Sequence, residues 1–334
     1  PPEASRLSNL LQVQMPTDFT LGPVTLQSLY LGLDGTEDGL KAETSFDLRL
    51  QFGKPVTMVF NRIGFQMGLK EDTINGPFLG YDLQPSFKLP TGAGIVVDAD
   101  VVKGGGFLYL DPNRGEYFGS IELEFKDLFT LKAIGILQTQ NPDGTKGFSL
   151  LIILTGEFSP IQLGFGFTLM GVGGLLGLNR GLRPQVLQEG LKSSLVSSVL
   201  FPKDPVANIS RIVSDLQQIF PAEKGTFLVG LMGRFGWGTP TLVTIDLGII
   251  VTLPDPTINL IGSVRSIQPS EDHKILIIQA NLFGRLDFRG KYVFFRAELF
   301  ESSLAGFKLS GGLVFYVGWG NDDCVYILVD EGPH

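Results

Sequence analysis

The sequence predicts a mainly β protein: internally duplicated antiparallel meanders, in a curved sheet, sandwich or barrel-like arrangement, with a two-helix insert near the middle. Three observations predict it. Apolar and polar residues alternate strictly along most of the chain, one segment switches to steps of three and four, and two distant segments share an ordered set of residues.

The alternation comes first. Between Ala42 and Phe52 the even positions Ala42, Thr44, Phe46, Leu48, Leu50 and Phe52 form one row, against Asp47, Arg49 and Gln51 on the other. Ile121, Leu123 and Phe125 alternate with Glu122, Glu124 and Lys126. Val243, Ile245, Leu247, Ile249, Val251 and Leu253 alternate with Thr244, Asp246 and Thr252. Val293 to Leu299 and Phe307 to Trp319 continue the pattern. Successive side chains of a strand point to opposite faces, so such rows describe antiparallel sheets with one apolar and one wetter face. Turns are expected at Asn75-Gly76, Asp111 to Gly115, Asn141 to Gly144 and Pro254 to Pro256.

The change of period comes next. Leu187, Leu191, Leu195, Val196, Val199 and Leu200 mark a helix opened by Pro184. Ile209, Ile212, Val213, Leu216, Ile219 and Phe220 mark a second, with Asp204 expected as N-cap, Pro205 in the first turn and Pro221 as its stop. Two apolar stripes predict that this pair packs on the sheet. The duplication relates Leu110–Leu137 to Leu286–Leu313: Asp111 matches Asp287, Arg114-Gly115 matches Arg289-Gly290, and Glu122-Leu123 matches Glu298-Leu299. The division expected is a first β half at 1–160, a Gly-rich strand plus helical insert at 161–226, and a second β half at 227–334, together one compact unit.

Composition narrows the function. The 334 residues are 43% hydrophobic and 18% charged, with 43 glycines and 26 phenylalanines, which is a folded, strand-rich composition. Net charge is −8 and no Lys/Arg cluster occurs, which argues against nucleic acid as partner. The single cysteine, Cys324, excludes an internal disulfide and a thiolate metal site. The histidines are His273, in a polar Ser-Glu-Asp loop, and His334, so no Ser-His or zinc chemistry is expected and no cofactor or metal is assigned. No uncharged apolar run reaches ~18 residues, so no transmembrane helix is expected. Alternation fits a membrane β-barrel, but the helical pair and the prolines near strands fit it poorly. The start at Pro1-Pro2-Glu3, without Met, is that expected of a trimmed or processed chain. The compartment stays open.

Three segments carry a family resemblance: GFGFTLMGVGGLLGLNR at Gly164–Arg180, FPKDP at Phe201–Pro205, and GRFGWGTPTLV at Gly233–Val243. With the LD…RG strands they resemble a domain of unknown function found in large, modular, uncharacterised bacterial and fungal proteins. The resemblance implies one module of a longer protein and assigns no catalytic residue.

Carboxylates are the only candidate catalysts. Asp98 and Asp100 lie two apart in a strand-like run, Glu122 and Glu124 do the same, and Glu298 repeats Glu122 across the duplication. Pairs at such spacing serve as acid and base in glycoside hydrolysis. The plainer reading is a solvated strand face or a cross-strand ion pair. Trp237, Trp319, Asp322 and Asp323 are candidate ligand contacts, with aromatics as sugar platforms and acids beside them. The glycines of Gly171–Gly177 lack a P-loop ending and read instead as close backbone packing. Two functions follow. One is a non-catalytic binding or structural module with an apolar or lipid-binding groove, whose partners are an apolar ligand, a carbohydrate or other protein modules. The alternative is a glycosidase working through paired carboxylates.

Overall fold

The computed structural model describes residues 11–36, 39–53, 55–71, 81–140, 145–269, 274–319 and 324–330. It is 72% strand and 9% helix, and every described strand pairing is antiparallel. The expected turns at Asn75-Gly76 and Asn141–Gly144 lie outside the described residues, as does His273.

The chain forms two compact units, 1–117 and 118–334. The first contains β1 (Leu11–Leu21), β2 (Val24–Thr36), β3 (Gly39–Phe52), β4 (Val56–Glu71), β5 (Tyr81–Lys88), β6 (Gly92–Asp98) and β7 (Val102–Asp111). They pair in sequence as a meander, except that β4 is long enough to pair with both β5 and β6. β8 (Glu116–Phe125) crosses the division.

The second unit contains β9 (Phe129–Gln140), β10 (Lys146–Gly164), β11 (Phe167–Arg180), β12 (Ala222–Trp237), β13 (Val243–Leu253), β14 (Thr257–Pro269), β15 (Lys274–Asp287) and β16 (Tyr292–Leu299). A short hairpin, β17 (Ser302–Leu304) and β18 (Phe307–Leu309), precedes β19 (Gly312–Gly318) and β20 (Cys324–Asp330). The pairing order is β9-β10-β11-β12-β13-β14-β15-β16-β19-β20, with β17 beside β15. Among the described residues no pairing returns from β20 to β9, so this sheet is open rather than a barrel.

The repeated segments share their opening turn and then diverge. Asp111 Oδ1 accepts the amides of Asn113 and Arg114, each at 3.1 Å, and Asp287 Oδ1 accepts that of Gly290 at 2.7 Å. A short Asp side chain that binds its own turn is a sufficient reason for the residue at both places. Thereafter Leu110–Leu137 runs as β8, a tight turn and β9, whereas Leu286–Leu313 places the β17–β18 hairpin between β16 and β19.

Between β11 and β12 the chain leaves the sheet to form α1 (Pro184–Glu189), a 3-10 turn at Gly190–Lys192, α2 (Leu195–Val199) and α3 (Ile209–Ile219). The first expected helix is thus broken. The chain leaves the helix at Ser193, extended at φ −139° and ψ 177°, whose hydroxyl donates to the Gly190 carbonyl at 2.8 Å and accepts from the Leu195 amide at 3.3 Å. The second begins at Ile209 rather than after Asp204. Asp204 takes φ +45°, outside the range a helix N-cap adopts, and Asn208 caps the resulting turn by donating to the carbonyls of Lys203 and Asp204.

The helical segment packs on one sheet face. Leu187, Leu191, Val196, Val199, Leu200, Phe201, Ile212, Leu216, Ile219 and Phe220 are fully or almost fully buried. They share one core with Ile134, Ile136, Leu151, Ile153, Leu175, Leu228, Met232, Ile250, Ile261 and Phe283 of the sheet. Glycines let the two layers meet. A Cβ at Gly171 would stand 2.9 Å from the Phe201 ring, and one at Gly248 would stand 2.8 Å from Leu200. The glycine-rich stretch is therefore close packing, as the sequence implies. Leu216→Ala is expected to lower unfolding free energy by about 2–5 kcal/mol, as a cavity left in a filled core does. Urea denaturation followed by circular dichroism checks this, and an unshifted midpoint would contradict the packing.

Candidate functional site

Residues directly opposite in an antiparallel ladder share a face, so the register assigns every side chain of the second unit to one side of its sheet. On the helix-bearing side, charges surround the core. Lys132 contacts Glu157 at 2.8 Å and Glu122 at 3.8 Å. Arg234 binds Asp246 through two bonds of 2.7 and 2.8 Å, pairs with Glu157, and lies over the Phe201 ring at 4.6 Å. Burial alone would lower the Arg234 pKa. Bonds to Asp246 and the charges of Asp246 and Glu157 more than offset it, so the guanidinium stands above its ordinary value. This alternation of acids and bases links five strands, β8, β9, β10, β12 and β13, with Phe201 over Arg234.

A second polar group pins the helical segment at its other side. Asn281 is buried and donates to the carbonyls of Leu191 and Ser193 at 2.8 and 3.2 Å. Glu298, 3% exposed, stands opposite Asn281, accepts two bonds from Arg296 at 2.9 and 2.7 Å, and faces Lys192 at 3.5 Å. Gly312 pairs with Glu298, and a Cβ there would come within 2.6 Å of its Oε2, so glycine makes room for the carboxylate. Sequence reasoning singled out Glu298 but not Asn281 or Lys192, which reach it from far along the chain.

The other candidate carboxylates do not converge. Asp98 ends β6, exposed, with Lys103 at 3.5 Å. Asp100 lies beyond β6 in the following turn, so the expected same-face pair on one strand is not formed. Glu122 belongs to the Lys132 cluster and Glu124 is exposed. Trp237 and Trp319 are both exposed, at opposite ends of the sheet. Asp322 and Asp323 lie outside the described residues. A cleft of about 280 Å³ opens at the end of the sheet where β13 turns into β14. Glu223, Thr252, Asp255, Arg285, Asp287 and Arg289 are among its lining residues, and neither an aromatic nor any of the five candidate carboxylates lines it. Two of its three acids are paired: Asp287 with Arg285 at 2.8 Å and Asp255 with Arg289 at 3.1 Å. Among the described residues no group of acids, His and Cys is placed to hold a metal ion.

The side away from the helices is of another kind. Strand by strand its rows read Leu131-Ala133-Gly135-Leu137, Leu150-Ile152-Leu154, Val172-Gly174-Leu176-Leu178, Val229-Leu231-Gly233-Phe235 and Ile245-Leu247-Ile249-Val251. They continue as Ile258-Leu260-Gly262-Val264, Ile278-Ala280-Leu282-Gly284-Leu286, Val293-Phe295-Ala297-Leu299, Leu313-Phe315-Val317 and Val325-Ile327-Val329. No charged or hydrogen-bonding side chain interrupts these stretches. Nor are they covered: Leu231 is 74% exposed, Ile249 50% and Ile327 61%. An apolar surface of this extent is far beyond what a monomer ordinarily shows to water.

The first unit repeats the division of faces. Val13, Leu31, Phe65 and Phe87 are exposed on one side, the two rings meeting edge to face at 5.8 Å. On the other side Tyr30 donates to Asp47 at 2.8 Å, while Glu43 accepts from Ser45 at 2.7 Å and Arg62 at 3.2 Å and pairs with Lys88. Burial would raise the Glu43 carboxyl, but these partners hold it below its usual range. Burial draws the Lys88 ammonium below its ordinary value despite Glu43.

A family of unknown function, DUF6603, matches residues 17–327. The chain belongs to this family. The match takes in most of both compact units, so the two-faced sheets and the helical segment are features of a DUF6603 domain. The comparison with curated proteins gave no match.

Among the described residues, the carboxyls of Glu43 and Asp287 are depressed in the fold. Burial would raise Asp287, but the Gly290 amide and Arg285 lower it, as Lys88 and Ser45 lower Glu43. A depressed carboxyl stabilises the fold above its unfolded pKa, about 4, and that contribution is lost as pH falls through the folded value. Urea midpoints are expected to hold steady from pH 7 to about 5 and to decline below about 4. Asp287→Asn should flatten that decline, and an equal slope in the variant would remove Asp287 from the account.

Proposed function

We propose that this DUF6603 domain is a non-catalytic module that binds the acyl chains of lipids along the uncovered apolar face of its second unit. One observation carries the reading: from β9 to β20 the central stretches of that face offer continuous aliphatic and aromatic surface, half or more exposed in places, and hydrogen-bonding side chains such as Ser266, Gln268 and the Trp237 indole occur only at its ends. A specific protein partner would ordinarily find about one hydrogen bond per 100–200 Å² of contact, and a sugar would need more. An acyl chain needs none. The row on β13 spans 11 residues, about 36 Å at strand rise, against ~15 Å for one leaflet of hydrocarbon. Burial of apolar area, at about 25 cal/mol per Å², is then the main driving term. The charged clusters stand on the helix-bearing side, so among the described residues the uncovered rows present neither acid nor base to a substrate.

The test is titration of the purified chain with a fluorescent fatty acid, beside mass spectrometry of lipids that co-purify. Saturable binding is expected, and Leu231→Asp and Ile249→Asp should each weaken it at least about tenfold while changing unfolding free energy by no more than about 0.5–1 kcal/mol. Binding that ignores both substitutions would sink the proposal. A protein released from membranes only by detergent would instead place this face against a bilayer rather than around carried lipid.

A further inference from the structure

The β10–β11 hairpin closes on Gly164-Phe165-Gly166, all three at positive φ (101°, 52° and 82°). Two glycines adopt that conformation freely, whereas for a phenylalanine it is strained. The strained residue gains no packing in return, because Phe165 is 99% exposed. Leu163 and Phe167 beside it are exposed as well. The neighbouring β12–β13 hairpin joins the same apex. The Gly238 amide donates to the Gly166 carbonyl at 3.0 Å, and a Cβ on Gly166 would stand 3.3 Å from the indole Nε1 of Trp237. No charged residue occurs from Phe158 to Asn179 or from Phe235 to Ile245. The opposite end of the sheet carries Asp255, Arg285, Asp287 and Arg289.

We infer that this apex docks the protein on the surface of an uncharged phospholipid bilayer, with Phe165 entering the acyl boundary and Trp237 lying at headgroup level. A protruding apolar ring needs a shaped pocket on a protein partner, but none in a bilayer interface, where Trp is also at home. Charge selects the kind of bilayer. An apex with no Lys or Arg, on a chain of net charge −8, gains nothing from anionic lipid. The apex is also continuous with the proposed acyl-binding face, since Phe167, Phe235 and Trp237 are the first residues of its rows. The inference rests on that proposal only for this continuity. It gives lipid a route from a membrane onto the sheet.

The experiment is co-sedimentation of the whole chain with phosphatidylcholine vesicles, run for the wild type and for Phe165→Asp. Asp tolerates the left-handed backbone, and the ring it replaces supports no core. In a Trp319→Phe background, emission reports Trp237 alone. Expected are vesicle binding insensitive to salt, a blue shift and quenching by brominated phosphatidylcholine, and a loss of binding of roughly tenfold or more in Phe165→Asp. Fatty-acid titration of the same variant separates the two claims. If fatty acid still binds while vesicle binding is absent, or is unchanged by Phe165→Asp, the apex inference falls alone. If vesicle binding depends on Phe165 but no fatty acid binds any form, the apex stands and the acyl-binding proposal falls. Binding only to phosphatidylserine vesicles, abolished by salt, would also overturn the inference.

Discussion

The contact between the helical segment and the sheet organises the second unit. Its helices are short, and helices of five to eleven residues have little stability in water by themselves. They exist because Leu187, Leu191, Ile212, Leu216 and Phe220 find one continuous apolar surface, and because Gly171 and Gly248 let Phe201 and Leu200 descend onto it. The polar bonds then fix position rather than supply the bulk of the energy. Asn281 satisfies two carbonyls of the 3-10 turn, and Arg180, also buried, donates to the Phe220 carbonyl and to Gln138 beyond α3. A buried carbonyl left without a donor costs about 1–3 kcal/mol, so these bonds select one seating for the segment among many that would bury similar area.

That seating makes the two sides of the sheet unequal. Both sides are apolar near the centre of β10, where Leu150 to Leu154 run without a polar residue. The helices take one side, and the charged clusters of Lys132, Glu157, Arg234 and Asp246 surround them there. The other side keeps its apolar rows without cover. In the first unit no helix is present among the described residues, yet its strands divide in the same way, with Glu43, Arg62 and Lys88 on one side and Phe65 and Phe87 on the other. The division is therefore a property of the strand pattern, and the helical segment adds to it.

Much of this was legible in the sequence. The rows at Ala42–Phe52 and Val243–Leu253 form single faces of β3 and β13 as their alternation implies, and the helical period marks the segment that leaves the sheet. What failed was local. Pro205 after Asp204 imitates a helix start, but the backbone at Asp204 turns the other way and the helix waits for Ile209. What was hidden was long-range. Nothing near Glu298 announces that Lys192 and Asn281 meet it, and nothing in the β10 pattern says which of its two apolar rows the helices will cover. The Gly-Phe-Gly at 164–166 reads as a strand until the turn places its ring in the open.

The position of the helical segment within the ladder also bears on how the chain folds. Every other neighbour pair of this sheet from β9 to β16 is joined by at most five residues, but β11 and β12 pair from Phe167 with Trp237 to Arg180 with Ala222 across the whole of residues 181–221. Closing so long a connection carries an entropy cost that grows with the logarithm of its length, and no hairpin nucleus can offset it early. The seam between β11 and β12 therefore depends on the packing of the helical segment, and not on a tight turn, to offset its closure. The largest closure cost in this ladder up to β16 thus lies where the meander is interrupted.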